Sequence, residues 1–501
     1  MRALAAGLDA IGSARIIGQQ VAADAPMQQL SAQDASFLYF EGPRTPMHIG
    51  GVMVYDPSTV RGGRQRFTDI LAFIEERLHL ARTFRQKLVR VPLDLDHPWW
   101  IEDRDFDLEY HVRHIRLPEP GDWRQLCIQV ARLHARPLDV SKPLWEFTVI
   151  EGLDAVPGLP TGSYAVVSKV HHAAVDGVSG VDLVQALHGL EPYPDSIPPP
   201  ARTWYGETPP SPGELLFRAQ MKGFSEPLRF AEALLRAGAR PSPRRSDGET
   251  RGAPTPQPVP HTRFGRAVSP HRVMEARQFP VSAIRTVRRQ VPGATLNDVI
   301  LAICGGALRR YLAAKNELPD SSLVAMVPIS VRGGAQDLGN RVAAMNVAIG
   351  SDCESPLERL AGVHASSRHS KAIADAVGAR QLTDFARFVP AAMSAAGARL
   401  FTEFARDNPA RLPFNCVVTN VPGPQVPLYS AGARLVSHYG LGPIYDGMGL
   451  MLPVFSYCGA VNIAVNACRD IMPDPDFFAD CLDASWFDLS QAAGVELSTP
   501  A

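Results

Sequence analysis

The sequence predicts an α+β protein, mixed sheets with helices, built as two domains. Three observations carry this expectation. The chain has 501 residues, too many for one ordinary hydrophobic core. Stretches of period-two alternation mix with stretches of helical period, without a regular βαβ repeat or a GxGxxG loop. Between the halves the composition shifts: Pro192 to Pro212 carries eight prolines and Pro241 to Pro260 six. Segments of that kind bury little and read as linker. The expected layout is an extension over 1–26, a first domain over 27–191, a linker over 192–265 and a second domain over 266–501.

In chain order, Asp34, Phe37, Leu38 and Phe40 suggest one or two helical turns, and His48 to Tyr55 reads as a strand. There His48 could line a cavity, but a packed strand histidine is the expected reading. Phe67 to Leu80 is amphipathic, with Ile70, Phe73, Ile74 and Leu78 near one face. The basic run that follows includes Arg85, Lys87 and Arg90, candidates to meet anionic phosphates, although most such runs are solvated faces. Pro98-Trp99-Trp100 reads as a turn and Phe106 to Arg113 as a strand. A helix is expected over Trp123 to Ala135, ended by Pro137. Pro143-Leu144-Trp145 then leads into a strand to Glu151, with Trp145 expected in the core. Ser163 to His172 alternates again and reads as a strand, and Val178 to Leu190 has helical spacing. Within the linker, Leu215 to Leu235 forms an apolar helical island, read either as a lipid-facing element or as a bridge packed on the domains.

The second half opens with a short helix over Val281 to Val291 and a longer one starting at Thr295. Thr295 with Asp298 resembles a capping box, and an acid in the first turn also suits the helix dipole. Strands are expected over Leu323 to Arg332 and Arg341 to Ile349, then mostly helix to about Phe404. Cys416 to Thr419 reads as a short strand ending in a turn. Leu450 to Tyr457 and Ala460 to Ala467 read as a hairpin through Cys458-Gly459, and Asp474-Pro475 opens a last helix to Leu489.

Composition excludes several functions. With 50 basic and 51 acidic residues the net charge is −1, so bulk charge does not suggest nucleic-acid binding. The seven cysteines are widely spaced without a CxxC pair, which reads as free, mostly buried thiols in a reducing cytosol. No apolar run is long enough to span a bilayer as a helix. The first residues lack the layout of a signal peptide because Asp9 and other polar residues interrupt them.

The chemistry centres on His171-His172-Ala173-Ala174-Val175-Asp176-Gly177. If the strand runs through both histidines, their rings point to opposite faces, so one faces a cavity and the other faces packing. A metal site is disfavoured, since the rings diverge and no matching ligand cluster lies nearby. A buried structural histidine is the bland alternative for one of them. The whole pattern, with Gly177 allowing a tight turn after Asp176, points to a general base, with Asp176 orienting an imidazole or bracing the turn. No GxSxG elbow or cysteine nucleophile accompanies it. A base without a protein nucleophile suits direct transfer from an activated donor such as a thioester.

HHAAVDG resembles the HHxxxDG motif of the coenzyme A-dependent acyltransferases. Leu30 to Gly51, Pro143-Leu144-Trp145, Asn297-Asp298 with Val299 to Ala302, and Thr419-Asn420-Val421-Pro422-Gly423-Pro424 resemble the ordered blocks of the bacterial wax ester synthase/acyl-CoA:diacylglycerol acyltransferase family. Threonine stands before Asn420 where serine is expected. The resemblance implies two chloramphenicol acetyltransferase-like domains, each a mixed sheet with helices, and an active-site channel between them. It implies long-chain acyl transfer from acyl-CoA to diacylglycerol or a fatty alcohol, with no metal, prosthetic group or cofactor beyond acyl-CoA as substrate. His172 is then the expected base, with His171, Asp176 and Asn297 in the catalytic set, Asn297 as oxyanion or carbonyl donor and Arg332 as a candidate partner of Asp176. Gly177, Pro143, Leu144, Trp145 and Asp298 are the expected substrate-side residues, and Trp145 could also buttress the active-site strand. Peripheral association with the inner membrane face or lipid inclusions is expected. Two alternatives stay open: a related HHxxxDG enzyme with another acceptor, and a non-catalytic lipid-binding relative.

Overall fold

The computed structural model describes residues 27–175, 186–193, 197, 206–222, 259–330, 342–377 and 412–495. Two six-stranded mixed sheets and one three-stranded sheet organise them. The chain enters through β1 (Gln28–Gln29) and helix α1 (Ala32–Phe40). The Ser31 hydroxyl caps α1 by accepting the Asp34 N–H at 3.1 Å, which satisfies one of the orphan donors of the first turn.

β2 (His48–Asp56) is a central strand of the first sheet. Its Val52 and Val54 join Ala165 and Val167 in one core, while Met53 and Tyr55 join Tyr164 and Val170 in another. Burial on both faces explains why β2 reads as a nearly continuous apolar run. Helix α2 (Phe67–Glu75) buries Ile70 and Ile74. β3 (Gln86–Val89) and β4 (Trp99–Glu102) pair beside β1 as the small sheet. The expected strand over Phe106 to Arg113 is instead a helical turn, α3 (Leu108–His111), followed by β5 (Val112–Arg116). The cause is local: the Asp107 carboxylate accepts the Glu109 N–H at 3.0 Å and starts a helical turn. α4 (Trp123–His134) follows, closed at its N-terminus by a capping box of Asp122 and Gln125. β6 (Trp145–Glu151) and β7 (Tyr164–His171) complete the part of the first sheet that precedes the linker.

The second sheet holds β8 (Arg272–Pro280), β9 (Val324–Ser330), β10 (Val342–Ala348), β11 (Cys416–Pro422), β14 (Leu450–Tyr457) and β15 (Ala460–Cys468). β8 was not expected from the sequence, and β11 runs past Thr419 because it pairs in parallel with β14 as far as Pro422. β14 and β15 form the expected hairpin. Cys458 and Gly459 both have positive φ, 42° and 83°, the backbone that a two-residue hairpin turn of the primed type requires.

Helices α5 (Val281–Arg288), α6 (Leu296–Ala314), α7 (Pro356–Val377) and α8 (Pro475–Ala492) belong with this sheet. α6 is buried on nearly every side. A Cβ at its Gly305 would stand 1.8 Å from the Ile349 carbonyl oxygen, so that helix packs against backbone only because glycine is there.

One feature crosses the expected division of the chain. β12 (Tyr429–Ser430) and β13 (Ala433–Leu441), far along the second half, pair into the first sheet, in the order β12-β13-β2-β7-β6-β5. β13 runs antiparallel to β2, with Leu441 opposite Gly50 and Tyr439 opposite Val52. Met274 and Ala276 of β8 and Ala464 of β15 also enter the core formed with α4. The two halves of the chain are thus joined by a late strand in the first sheet and by a shared core.

Candidate active site

The site is built where β7 ends. The strand stops at His171, and His172 begins a short 3-10 turn to Ala174, one residue earlier than the alternation suggests. The turn is held by backbone bonds on three sides. His171 N–H donates to the Leu144 carbonyl at 2.9 Å, His172 N–H to the Met47 carbonyl at 2.8 Å, and Val175 N–H to the His172 carbonyl at 3.3 Å.

The two histidines meet different neighbours, as expected, although the turn and not strand alternation alone separates them. His171 is fully buried. Its Nδ1 accepts the Ala173 N–H at 3.0 Å. Nδ1 therefore carries a lone pair, and in the neutral ring the proton sits on Nε2. Nε2 faces the Glu41 carboxylate, 3.5 Å from Oε2. This contact is long, and among the described residues Nε2 has no hydrogen-bond partner at ordinary distance. It is a close charge–dipole approach, of the kind that tightens when substrate binds.

The His172 ring stacks on Phe37 of α1, with centroids 3.7 Å apart and planes 15° apart. Burial pushes the His172 pKa down from 6.5 to about 4, with a smaller contribution from neighbouring His171. The ring is thus neutral at physiological pH, which a proton acceptor requires.

Pro143-Leu144-Trp145 lies behind this turn. Leu144 and Trp145 are fully buried. Trp145 Nε1 donates to the Phe84 carbonyl at 3.0 Å, and its ring packs on Phe84, His111 and Phe147. The sequence places these residues on the substrate side; the structure packs Leu144 and Trp145 into the core. Their effect on the site is mechanical: Leu144 holds His171 through its carbonyl, and Trp145 pairs with Val170 across β6 and β7.

A second cluster forms at the start of α6. Thr295 and Asp298 make the capping box the sequence suggests: Thr295 N–H donates to Asp298 Oδ2 at 2.8 Å, and Asp298 N–H to Thr295 Oγ1 at 3.2 Å. The same Oδ2 lies 3.0 Å from His364 Nδ1 on α7, and Asp298 is buried. This carboxylate, expected on the substrate side, caps the start of one helix and joins it to a second. Asn297 Oδ1 accepts from Asn420 Nδ2 at 3.2 Å, which ties the Asn297-Asp298 block to the Asn420 block across the second sheet.

Asp176, Gly177 and Arg332 lie outside the described residues, as do the amino-terminal extension and the helical island beyond residue 222. His48 is the packed histidine expected, its Nε2 2.7 Å from the His134 carbonyl. The basic run is bound up in ion pairs: Arg85 with Glu102 at 3.4 Å, Lys87 with buried Asp103 at 2.6 Å, and Arg90 with Asp94 at 4.0 Å. A phosphate would have to displace these carboxylates. Nothing local in the sequence marks Glu41 as a neighbour of the histidines, and His364 stands in a helix 66 residues after its partner.

Comparison with known proteins agrees with this architecture. The wax ester synthase/diacylglycerol acyltransferase catalytic domain model matches residues 30–300, and the family's C-terminal domain model matches 338–489. A Mycobacterium tuberculosis protein bearing a diacylglycerol O-acyltransferase name is 35% identical over 457 residues, covering 90% of this chain and 88% of its own length. O-acyltransferase WSD of Acinetobacter baylyi is 30% identical, over 89% of this chain and 93% of its own. The wax ester synthase/diacylglycerol acyltransferase of Marinobacter aquaeolei VT8 superposes with a TM-score of 0.65 at 27% identity, covering 93% of this chain and 100% of that one. The first condensation domain of the calcium-dependent antibiotic synthetase shares the fold at 14% identity, with a TM-score of 0.53 over 94% and 97% of the two chains. With both domain models matched in order around the histidine turn and the α6 cluster, this chain belongs to the wax ester synthase/diacylglycerol acyltransferase family and is an O-acyltransferase.

Proposed function

We propose that the protein transfers a long-chain acyl group from acyl-CoA to the hydroxyl of a diacylglycerol or a fatty alcohol, with His172 as general base. The observation that carries this is His172 itself: a half-buried, neutral imidazole on a turn braced by three backbone bonds, inside the HHxxxDG motif. In the proposed step His172 takes the hydroxyl proton as the oxygen attacks the thioester carbonyl. The tetrahedral oxyanion then collapses, expels the coenzyme A thiolate, and the imidazolium returns its proton to that sulfur. An imidazolium whose pKa is held near 4 by partial desolvation gives up its proton readily, which favours the second half of the step. Asn297 is the candidate donor to the oxyanion; its Oδ1 accepts from Asn420, so its NH₂ is the group that would donate.

Direct transfer without an acyl-enzyme is part of the proposal. Burial raises the thiol pKa of Cys127, Cys304 and Cys416, that of Cys416 to about 12, so none of the three offers a thiolate. We also propose contact with a membrane or lipid-inclusion surface. Among the described residues no helix is long and apolar enough to cross a membrane, and residues 212–222 expose Phe217 and Met221.

The test is purified protein incubated with palmitoyl-CoA and competing hexadecanol and dioleoylglycerol. Wax ester, triacylglycerol or both should form, and the product ratio gives the acceptor preference. Coenzyme A release without ester, or no turnover with either acceptor, would overturn the reading.

A further inference from the structure

We infer that Glu41 is a positioning residue for the acyl transfer, acting on His172 through His171 and Met47. The inference rests on the reading of His172 as the base. Glu41 follows the last residue of α1 and sends its two carboxylate oxygens to two different parts of the catalytic turn. Oε1 accepts the Met47 N–H at 3.2 Å, and the Met47 carbonyl in turn accepts the His172 N–H at 2.8 Å. Oε2 faces His171 Nε2 at 3.5 Å, and His171 Nδ1 in turn holds the Ala173 N–H at 3.0 Å. The two arms meet on either side of His172, one at its own backbone nitrogen and one at that of the next residue.

The same short segment also supplies the surface beneath the base. Phe37 stacks on the His172 ring at 3.7 Å, and the Glu41 N–H donates to the Phe37 carbonyl at 3.1 Å. Phe37 and Glu41 are therefore fixed to each other, and α1 with its C-terminal cap carries both the ring that packs on the base and the carboxylate that fixes its backbone.

A carboxylate suits this task for a chemical reason. Both groups it faces are N–H donors, the Met47 amide and the His171 Nε2–H, and an ionised carboxylate is acceptor only, with an oxygen for each. Glutamine keeps the shape but offers one acceptor oxygen and one NH₂, so one of the two N–H groups would face another donor. The carboxylate also selects the His171 tautomer, since a proton on Nε2 is what leaves Nδ1 able to accept the Ala173 N–H. Without it the ring is free to take the other tautomer, and the bond that closes the turn after His172 is lost.

The prediction is a loss in kcat that passes through His171. Glu41→Gln should lower kcat by about tenfold to hundredfold, the scale of a small misplacement of a catalytic group, with KM for palmitoyl-CoA unchanged. In a His171→Ala background the same substitution should cost much less, because one arm is already gone. A kcat equal to the parent, a loss confined to KM, or fully additive losses in the double variant would each overturn the inference. A second measurement does not need the variant to fold. Protein labelled with ¹⁵N-histidine, with His171 assigned by loss of its signals in His171→Gln, should show the proton on Nε2 and the lone pair on Nδ1. A ring with its proton on Nδ1 would overturn the inference as well. His172→Ala in the same assay keeps the two readings apart. If it retains turnover, the base assignment fails; if it is inactive while Glu41→Gln is unaffected, only the positioning role fails.

Discussion

At the residue scale, the two adjacent histidines differ in what surrounds them and so in what their loss should do. A general base contributes about 10²–10⁴ in rate, so His172→Ala should lose roughly that factor in kcat with the fold kept. His171 is fully buried and receives a backbone N–H, so His171→Ala should lower the melting temperature as well as activity. Measuring kcat and melting temperature for both variants separates the roles. An inactive but fully stable His171→Ala beside an active His172→Ala would reverse the assignment. The acid limb of activity is predicted by the same environment. His172 titrates near 4, not 6.5, because burial disfavours its charged form, and it serves as a base only when neutral. kcat should therefore hold as pH falls through 6.5 and decline only toward 4, in initial-rate assays at saturating substrate. A decline centred near 6.5 would mean that the ring is solvated in the working enzyme.

At the element scale, the strand that carries the histidines is supported from behind by the Pro143-Leu144-Trp145 segment. Trp145→Phe keeps an aromatic ring but leaves the buried Phe84 carbonyl without the indole donor. An unsatisfied buried acceptor costs about 1–3 kcal/mol, so the melting temperature should fall while KM stays close to that of the parent. A large rise in KM with unchanged stability would instead show that Trp145 meets substrate. The start of α6 shows the limits of local reading. Thr295 and Asp298 formed a recognisable cap from sequence because the spacing of a capping box is local. That Asp298 also reaches His364, and Asn297 reaches Asn420, depends on where α7 and β11 come to lie.

At the scale of the whole molecule, β13 makes the first sheet depend on the second half of the chain. Without it β2 would be an open edge, its hydrogen-bonding groups unpaired along a run of buried apolar residues. Residues 27–265 expressed alone should therefore aggregate and not fold cooperatively. A soluble fragment with a sharp thermal transition would contradict this. Buried neutral histidines should also set acid stability. His134 is lowered to about 4 and His438 to about 3, both by burial, and His48 is lowered as well, burial again being the largest cause. Each has a folded pKa below its unfolded value near 6.5. Their contribution to stability is thus complete above 6.5 and is lost as pH falls through the window toward about 4 for His134 and about 3 for His438, because the unfolded chain takes up protons that the native state refuses. Thermal melts between pH 7 and pH 4 should show a progressive fall, and a flat profile would mean these rings are hydrated.

What the sequence determined by itself was whatever is written in short-range pattern. The alternation of Tyr164 to His171, the helical stripe of Leu296 to Tyr311, the Cys458-Gly459 turn, and the histidine pair at a strand end are all set by neighbours a few residues apart. Such features follow from backbone geometry and apolar period, so they survive without knowledge of the fold. Three things were decided only by tertiary structure. Ion pairing with Glu102, Asp103 and Asp94 occupied the basic run around Arg85 that local charge alone left open to phosphates. The crossing of β13 into the first sheet left no periodic mark, because a strand's partner is not encoded in its own alternation. Glu41 became visible as a neighbour of His171 only when α1 was folded back over the end of β7, bringing residues 130 positions apart within 3.5 Å. A carboxylate's role depends on which donors it meets, and those donors are assembled by the fold.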